Sequence, residues 1–161
     1  MRVLNPTVFN PVLQFRYTVF TTHLPGALFY ARSAQQPGFE NNPIQADYGN
    51  GYHKVKGKTT WDDLAITCYQ YEEITINDLW KYFQEHHLVR FAKDQYGSSY
   101  KHQIRLVTMN PSGLVPVGTW VLHGAFYSSV KFGEMDWGNE DVCQVNLQIA
   151  FDYAEFNPLI L

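Results

Sequence analysis

At 161 residues the chain is long enough for one domain with a buried core, and its formal net charge of −3 lacks the basic excess of a dedicated nucleic-acid binder. Only 17 % of residues are charged while 16 % are aromatic, a balance that favours strands and surface covered by partner subunits. No apolar run reaches membrane-span length, Met1-Arg2-Val3-Leu4-Asn5-Pro6 holds no signal-peptide core, and Cys68 and Cys143 read as two reduced, buried thiols.

After Asn10-Pro11, Leu13, Phe15, Tyr17 and Val19 alternate with Gln14, Arg16 and Thr18, which predicts a first strand with one face on a core and one in water. His23-Leu24-Pro25-Gly26 is a turn, and Ala27 to Ala34 a second strand ended by Pro37-Gly38. Residues 39–58 differ: they are polar, hold Pro43, Gly49, Gly51 and Gly57, and show little core patterning. They are expected to form a long surface loop with a hairpin-like tip at Gly49-Asn50-Gly51; such loops often carry function. Thr59 to Tyr71 returns to strand, Leu64, Ile66 and Cys68 alternating with Ala65, Thr67 and Tyr69.

Thr75, an N-cap with Asp78 three residues on, opens a predicted helix over 76–85. Ile76, Leu79, Trp80 and Phe83 form its core stripe at i, i+3, i+4 and i+7, and Lys81, Gln84 and Glu85 face away. His102 to Met109 is a strand and Asn110-Pro111-Ser112-Gly113 a turn. Val115–Val117 and Thr119–Val130 are further strands, split at Gly118 and again at Gly124. A turn-rich, acidic link over 133–141 leads to the last strand. From Cys143 to Tyr153 the odd positions Val145, Leu147, Ile149 and Phe151 are apolar, and Gln144, Asn146, Gln148 and Asp152 are polar. The sum is a mainly β chain: an antiparallel β-sandwich or barrel of seven or eight strands with one flanking α-helix, a single domain over 1–161.

Catalytic chemistry finds little support. His86-His87 point apart on a helix end, and no H-x-x-x-H or C-x-x-C spacing marks a metal site. Asp62-Asp63 and Glu72-Glu73 are sequence neighbours, not carboxylates facing across a cleft. No G-x-S-x-G or phosphate-cradling glycine loop occurs, so no enzyme activity, catalytic residue, metal or cofactor is expected.

Four segments together resemble the tail tube protein family of contractile-tailed phages: Leu28 to Pro37, Gly57 to Thr67, Gly118 to Phe126, and Phe132-Gly133-Glu134-Met135-Asp136-Trp137 on through Asp152-Tyr153. They span roughly residues 13–156. Phe126-Tyr127-Ser128 stand where the family pattern has a proline after Gly-Ala. The resemblance implies a β-sandwich or barrel with a flanking helix, and hexameric rings stacked into a hollow conduit inside a contractile sheath, in a virion tail assembled in the host cytoplasm. It implies as partners further copies of the chain, the sheath, baseplate and tail-terminator proteins, and genomic DNA passing through without specific binding. The same fold serves the hemolysin-coregulated protein of type VI secretion and contractile injection particles. A tube protein of either is the alternative, and a small β-sandwich binding module a further one.

Within that frame residues 39–58 are the expected inter-ring connector, represented by Asn42, Gln45, Tyr48, Asn50, Tyr52, Lys54 and Lys56. Lys81, Gln84 and Glu85 are the sheath-facing candidates. Gln144, Asn146 and Gln148 are the first candidates for the lumen wall, with Gln14 and Thr18 as the second choice, because amides and hydroxyls offer phosphates no cation to hold.

Overall fold

The structure, a computed structural model, describes residues 17–21, 31–70, 80–84, 100–110, 112, 115–138 and 140–158. Nine strands occur there: β1 Tyr17–Thr21, β2 Ala31–Ala34, β3 Phe39–Tyr48, β4 Gly51–Trp61, β5 Leu64–Tyr69, β6 His102–Met109, β7 Pro116–Phe132, β8 Gln144–Ala150 and β9 Tyr153–Pro158. All pairings are antiparallel. The fold is the expected mainly β, antiparallel, sandwich- or barrel-like one, with a short helical segment over 80–84.

β7 organises the architecture. Its 17 residues serve two sheets: Pro116–His123 lies between β6 and β9, and Phe126–Phe132 pairs with β8. One layer therefore runs β1-β6-β7-β9, and the other runs from the second half of β7 through β8 and β5 to β2. The bend sits at Gly124, whose φ of 64° suits a residue without Cβ. A Cβ there would also lie 2.1 Å from Asp152 Oδ2. The chain thus bends without the proline of the tube-family pattern. The far ends of the layers approach where the Tyr17 hydroxyl donates to the Ala31 carbonyl at 3.0 Å.

The core fills the space between layers. Leu64 and Ile66 of β5, Ile104 and Leu106 of β6, Leu122 of β7 and Val145, Leu147 and Ile149 of β8 are all buried. The β8 alternation is as expected, Val145, Leu147 and Ile149 inward and Asn146 and Gln148 exposed. Each of these buried aliphatic side chains contributes about 1.5–3 kcal/mol against the entropy of ordering the chain.

Four expectations are corrected. The last strand is not continuous: it breaks at Phe151-Asp152, and β9 crosses to the other layer to pair with the first half of β7. Asp152 holds the break, its N–H donating to the His123 carbonyl and its carboxylate accepting from Lys101 Nζ at 2.8 Å on both oxygens. The two strands expected over 115–130 are one. Trp80 is not a core residue of the subunit: it is 45 % exposed and meets Phe132 edge-on, while Tyr82 and Phe83 are buried. Tyr82 displaces Trp80 from the core stripe because its hydroxyl finds a hydrogen-bond partner in His102 Nε2 and its ring packs on Phe83 and Tyr127. Cys143 is half-buried, not buried, whereas Cys68 is 4 % exposed. Gln14, Ile76, Leu79 and Glu85 lie outside the described residues.

Phe83→Ala is expected to destabilise the subunit by about 3–5 kcal/mol and Trp80→Ala by less than about 1 kcal/mol, read as urea midpoints of the unassembled chain. Burial pushes the Cys68 thiol up to about 12 from its ordinary 9.0. The unfolded chain therefore releases this proton first as pH rises. The thiol's contribution is full below 9.0 and is lost progressively towards about 12. Cys68→Ala should flatten the stability–pH curve across that window, and alkylation at about pH 8 should modify Cys143 while sparing Cys68 until the chain unfolds.

Candidate assembly surfaces

Residues 39–58, read from sequence as a loop, belong to a hydrogen-bonded ribbon. β3 and β4 pair from Phe39↔Trp61 to Tyr48↔Gly51 in a two-stranded sheet of their own. The tip is Gly49-Asn50, and Gly49 takes a positive φ of 58°, as a tight two-residue hairpin requires. At its base Asp62 N–H donates to the Gly38 carbonyl at 3.0 Å, and Trp61 contacts both Phe39 and Phe151. Beyond that base every residue of β3 is exposed, as are all of β4 but Gly57 and Trp61. A ten-residue arm reaches roughly 30 Å at about 3.4 Å per residue.

Residues opposite each other in the ladder share a face. Ile44/Val55 and Ala46/His53 lie on one, together with Tyr48, and Pro43/Lys56, Gln45/Lys54 and Asp47/Tyr52 on the other. Asn42, Gln45, Tyr48, Asn50, Tyr52, Lys54 and Lys56 all sit on this arm. An isolated two-stranded ribbon is marginal in water, and this one leaves Ile44, Tyr48, Tyr52 and Val55 more than half exposed.

The outer face of the β5–β8 layer is neutral and polar over most of its area. Asn146 and Gln148 are exposed and Gln144 half-buried, beside Tyr69, Thr67 and Ala65 of β5. Thr67 Oγ1 donates to Asn146 Oδ1 at 2.9 Å. Ser129 and Lys131 flank the amides from β7, and on the other side the exposed Arg32 of β2 holds its guanidinium 5.8 Å from the centre of the Tyr69 ring. Thr18 lies in the other layer, beside Val107 of β6, so the two sets of lumen candidates are not on one surface.

That other layer has a different outer face. A shallow groove lined by Gln103, Arg105, Thr119, Val121, His123, Glu155 and Asn157 crosses it. His123 stacks on Tyr153 at 4.5 Å with an interplanar angle of 11°, and its Nε2 is 3.4 Å from Glu155 Oε2. Phe20 adds an exposed aromatic ring nearby. Among the described residues no group of three His, Cys, Asp or Glu gathers to hold a metal.

Lys81 is exposed and Gln84 half-buried on the helical segment. Sequence reasoning missed a second apolar surface, at the β7–β8 link. Phe132, Met135, Trp137 and Val142 are exposed there, with Trp80 against Phe132. The available signal was large apolar residues standing among Glu134, Asp136, Glu140 and Asp141, where a plain turn has no use for them.

No protein-family model and no curated protein matches the chain. Solved structures similar to it include the following three. A chain of an extracellular contractile injection system, the PVC sheath–tube complex in its extended state, matches with TM-score 0.75 and 16 % identity over 98 % of this chain and 100 % of its own. A chain of the anti-feeding prophage tube-terminating cap matches with TM-score 0.74 and 15 % identity over 99 % of this chain and 95 % of its own. A type six secretion system protein matches with TM-score 0.53 and 8 % identity over 87 % and 81 %. At these identities the likeness is one of fold, and the fold is tail-tube-like.

Proposed function

We propose that this chain is a non-enzymatic structural subunit of the tube of a contractile injection machine, closing with copies of itself into hexameric rings that stack into a hollow conduit. The observation that carries the reading is the likeness of fold along nearly the whole chain to chains of contractile injection particles. An extracellular injection particle is preferred to a phage tail conveying genomic DNA, because the similar structures named above include chains of such particles along nearly their whole length. The sheath, baseplate and terminating cap are the partners such a place in the particle requires.

The geometry supports a distribution of roles. Closing sheets against neighbouring copies covers the edges that β9 and the short β2 leave unpaired among the described residues. The β3–β4 arm, marginal alone, is the connector between successive rings. The outer face of β5 and β8, with Asn146 and Gln148 foremost, lines the bore, where amides and hydroxyls offer a polyanion little to hold by charge and the cations Lys131 and Arg32 stand at the margins. The opposite layer, with its aromatic and charged outer face, is covered in the assembly, and Lys81 with its neighbours faces the sheath.

Electron microscopy of the purified chain tests this: six-fold rings and tubes are expected, with Asn146 and Gln148 at the bore in the averaged map. Deleting Asn42–Lys56 is expected to leave folded chain and single rings but no long tubes. A monomer at every concentration, or tubes of normal length without the arm, overturns the assignment.

A further inference from the structure

The arm and the apolar fringe of the β7–β8 link lie at opposite ends of one layer. β5 leaves the arm at Leu64, opposite Ile149, and ends at Tyr69, opposite Gln144, where the link enters β8. The pairs between separate the two surfaces by roughly 17 Å at about 3.4 Å per residue. Beyond the Phe39–Trp61 base every residue of the arm but Gly57 is exposed.

The two surfaces are complementary in charge and in polarity. β4 carries Lys54, Lys56 and Lys58 and no acidic residue, while 133–143 carries Glu134, Asp136, Glu140 and Asp141 and no Lys or Arg. Tyr52, Lys54 and Lys56 share one face of the arm with Gln45 and Asp47, so the face carries an aromatic ring, one carboxylate near the tip and two long stems that cover apolar surface while keeping their charge in water. The fringe offers what that face fits: the rings of Trp80, Phe132 and Trp137 and the Met135 thioether, with carboxylates at Glu134 and Asp136. An ammonium over an indole or between carboxylates gains most when water is excluded.

We propose that the arm of one copy docks on the far end of a second copy, its Tyr52–Lys54–Lys56 face against the fringe of Trp80, Phe132, Met135 and Trp137, with Glu134 and Asp136 pairing the lysines. The second copy is the occupant because both complementary surfaces belong to this chain and sit at opposite ends of it. Such a contact is head-to-tail. It leaves a free arm on one copy and a free fringe on the other, so it propagates through a stack and does not end at a dimer. The proposal rests on the tube reading for its place in the particle and names the landing site of the connector. Because its charges lie at an interface rim, assembly through it weakens with added salt.

The test is charge reversal in the full chain, with the assembly threshold read by light scattering and secondary structure by circular dichroism. Lys54→Glu with Lys56→Glu, and separately Glu134→Lys with Asp136→Lys, are expected to raise the threshold at least about tenfold each while leaving the fold intact. The four substitutions in one chain are expected to bring it back to within about threefold of the wild type. Reversals without effect, or a combined chain as impaired as either pair, overturn the proposal, as does a wild-type chain that does not self-associate. A wild type that associates through this contact, with rescue, yet builds no hollow stack refutes the tube reading and leaves the contact standing.

Discussion

The bend in β7 is the constraint on which the two-layered architecture depends. A straight strand of 17 residues would leave β6, β8 and β9 in one open sheet, with apolar residues such as Leu122, Leu147 and Ile149 facing water on a single side. Gly124 in its left-handed conformation turns the strand and folds the sheet on itself. The carboxylate of Asp152 occupies the space a Cβ would take, and Lys101 holds it from the β6 side with two hydrogen bonds of 2.8 Å. That pairing is partly exposed, so its energy is modest. Its value is geometric: it fixes where β8 stops and β9 starts.

From the bend follows what the subunit leaves unfinished. Folding the sheet buries the core but leaves, among the described residues, the outer edges of β9 and β2 unpaired, and the chain between β2 and β5 runs out as a two-stranded ribbon of its own. Nature usually blunts such edges or covers them. Here the arm keeps Ile44, Val55, Tyr48 and Tyr52 in water, and the far end keeps Met135 and Trp137 there. Exposed apolar groups at both ends of one layer are a liability in a monomer and an asset in a stacked assembly. The low share of charge and high share of aromatics belong to the same account.

The legible parts of the sequence were those whose signal is local. β8 was readable because its faces differ in polarity at every step, and β6 because its limits, His102 and Met109, adjoin clear turn and strand patterns. Its amides were recognisable as a wet face for the same reason. The break at Phe151-Asp152 was hidden, because both residues continue the alternation and the break is made by His123 and Lys101, far away in the chain. β7 looked divided at Gly118, yet the ring of Phe156 lies over that glycine and the strand runs on. The arm read as a loop because a ribbon with water on both faces has no core periodicity to show; only its cross-strand pairs give it order. Trp80 reads as core in the sequence because helical spacing locates a stripe but not its edge, and in the fold Tyr82 has a buried partner in His102.

The central claim is that the β3–β4 arm is a ribbon completed by another subunit. Amide hydrogen exchange over Phe39–Trp61 measures this directly, comparing dilute unassembled chain with chain at assembling concentration. The account predicts arm amides that exchange close to freely in the dilute chain, while β5 and β8 are protected, and that become protected on assembly. An arm already as protected as the core in the dilute chain, or one that stays unprotected in assembled particles, would contradict it.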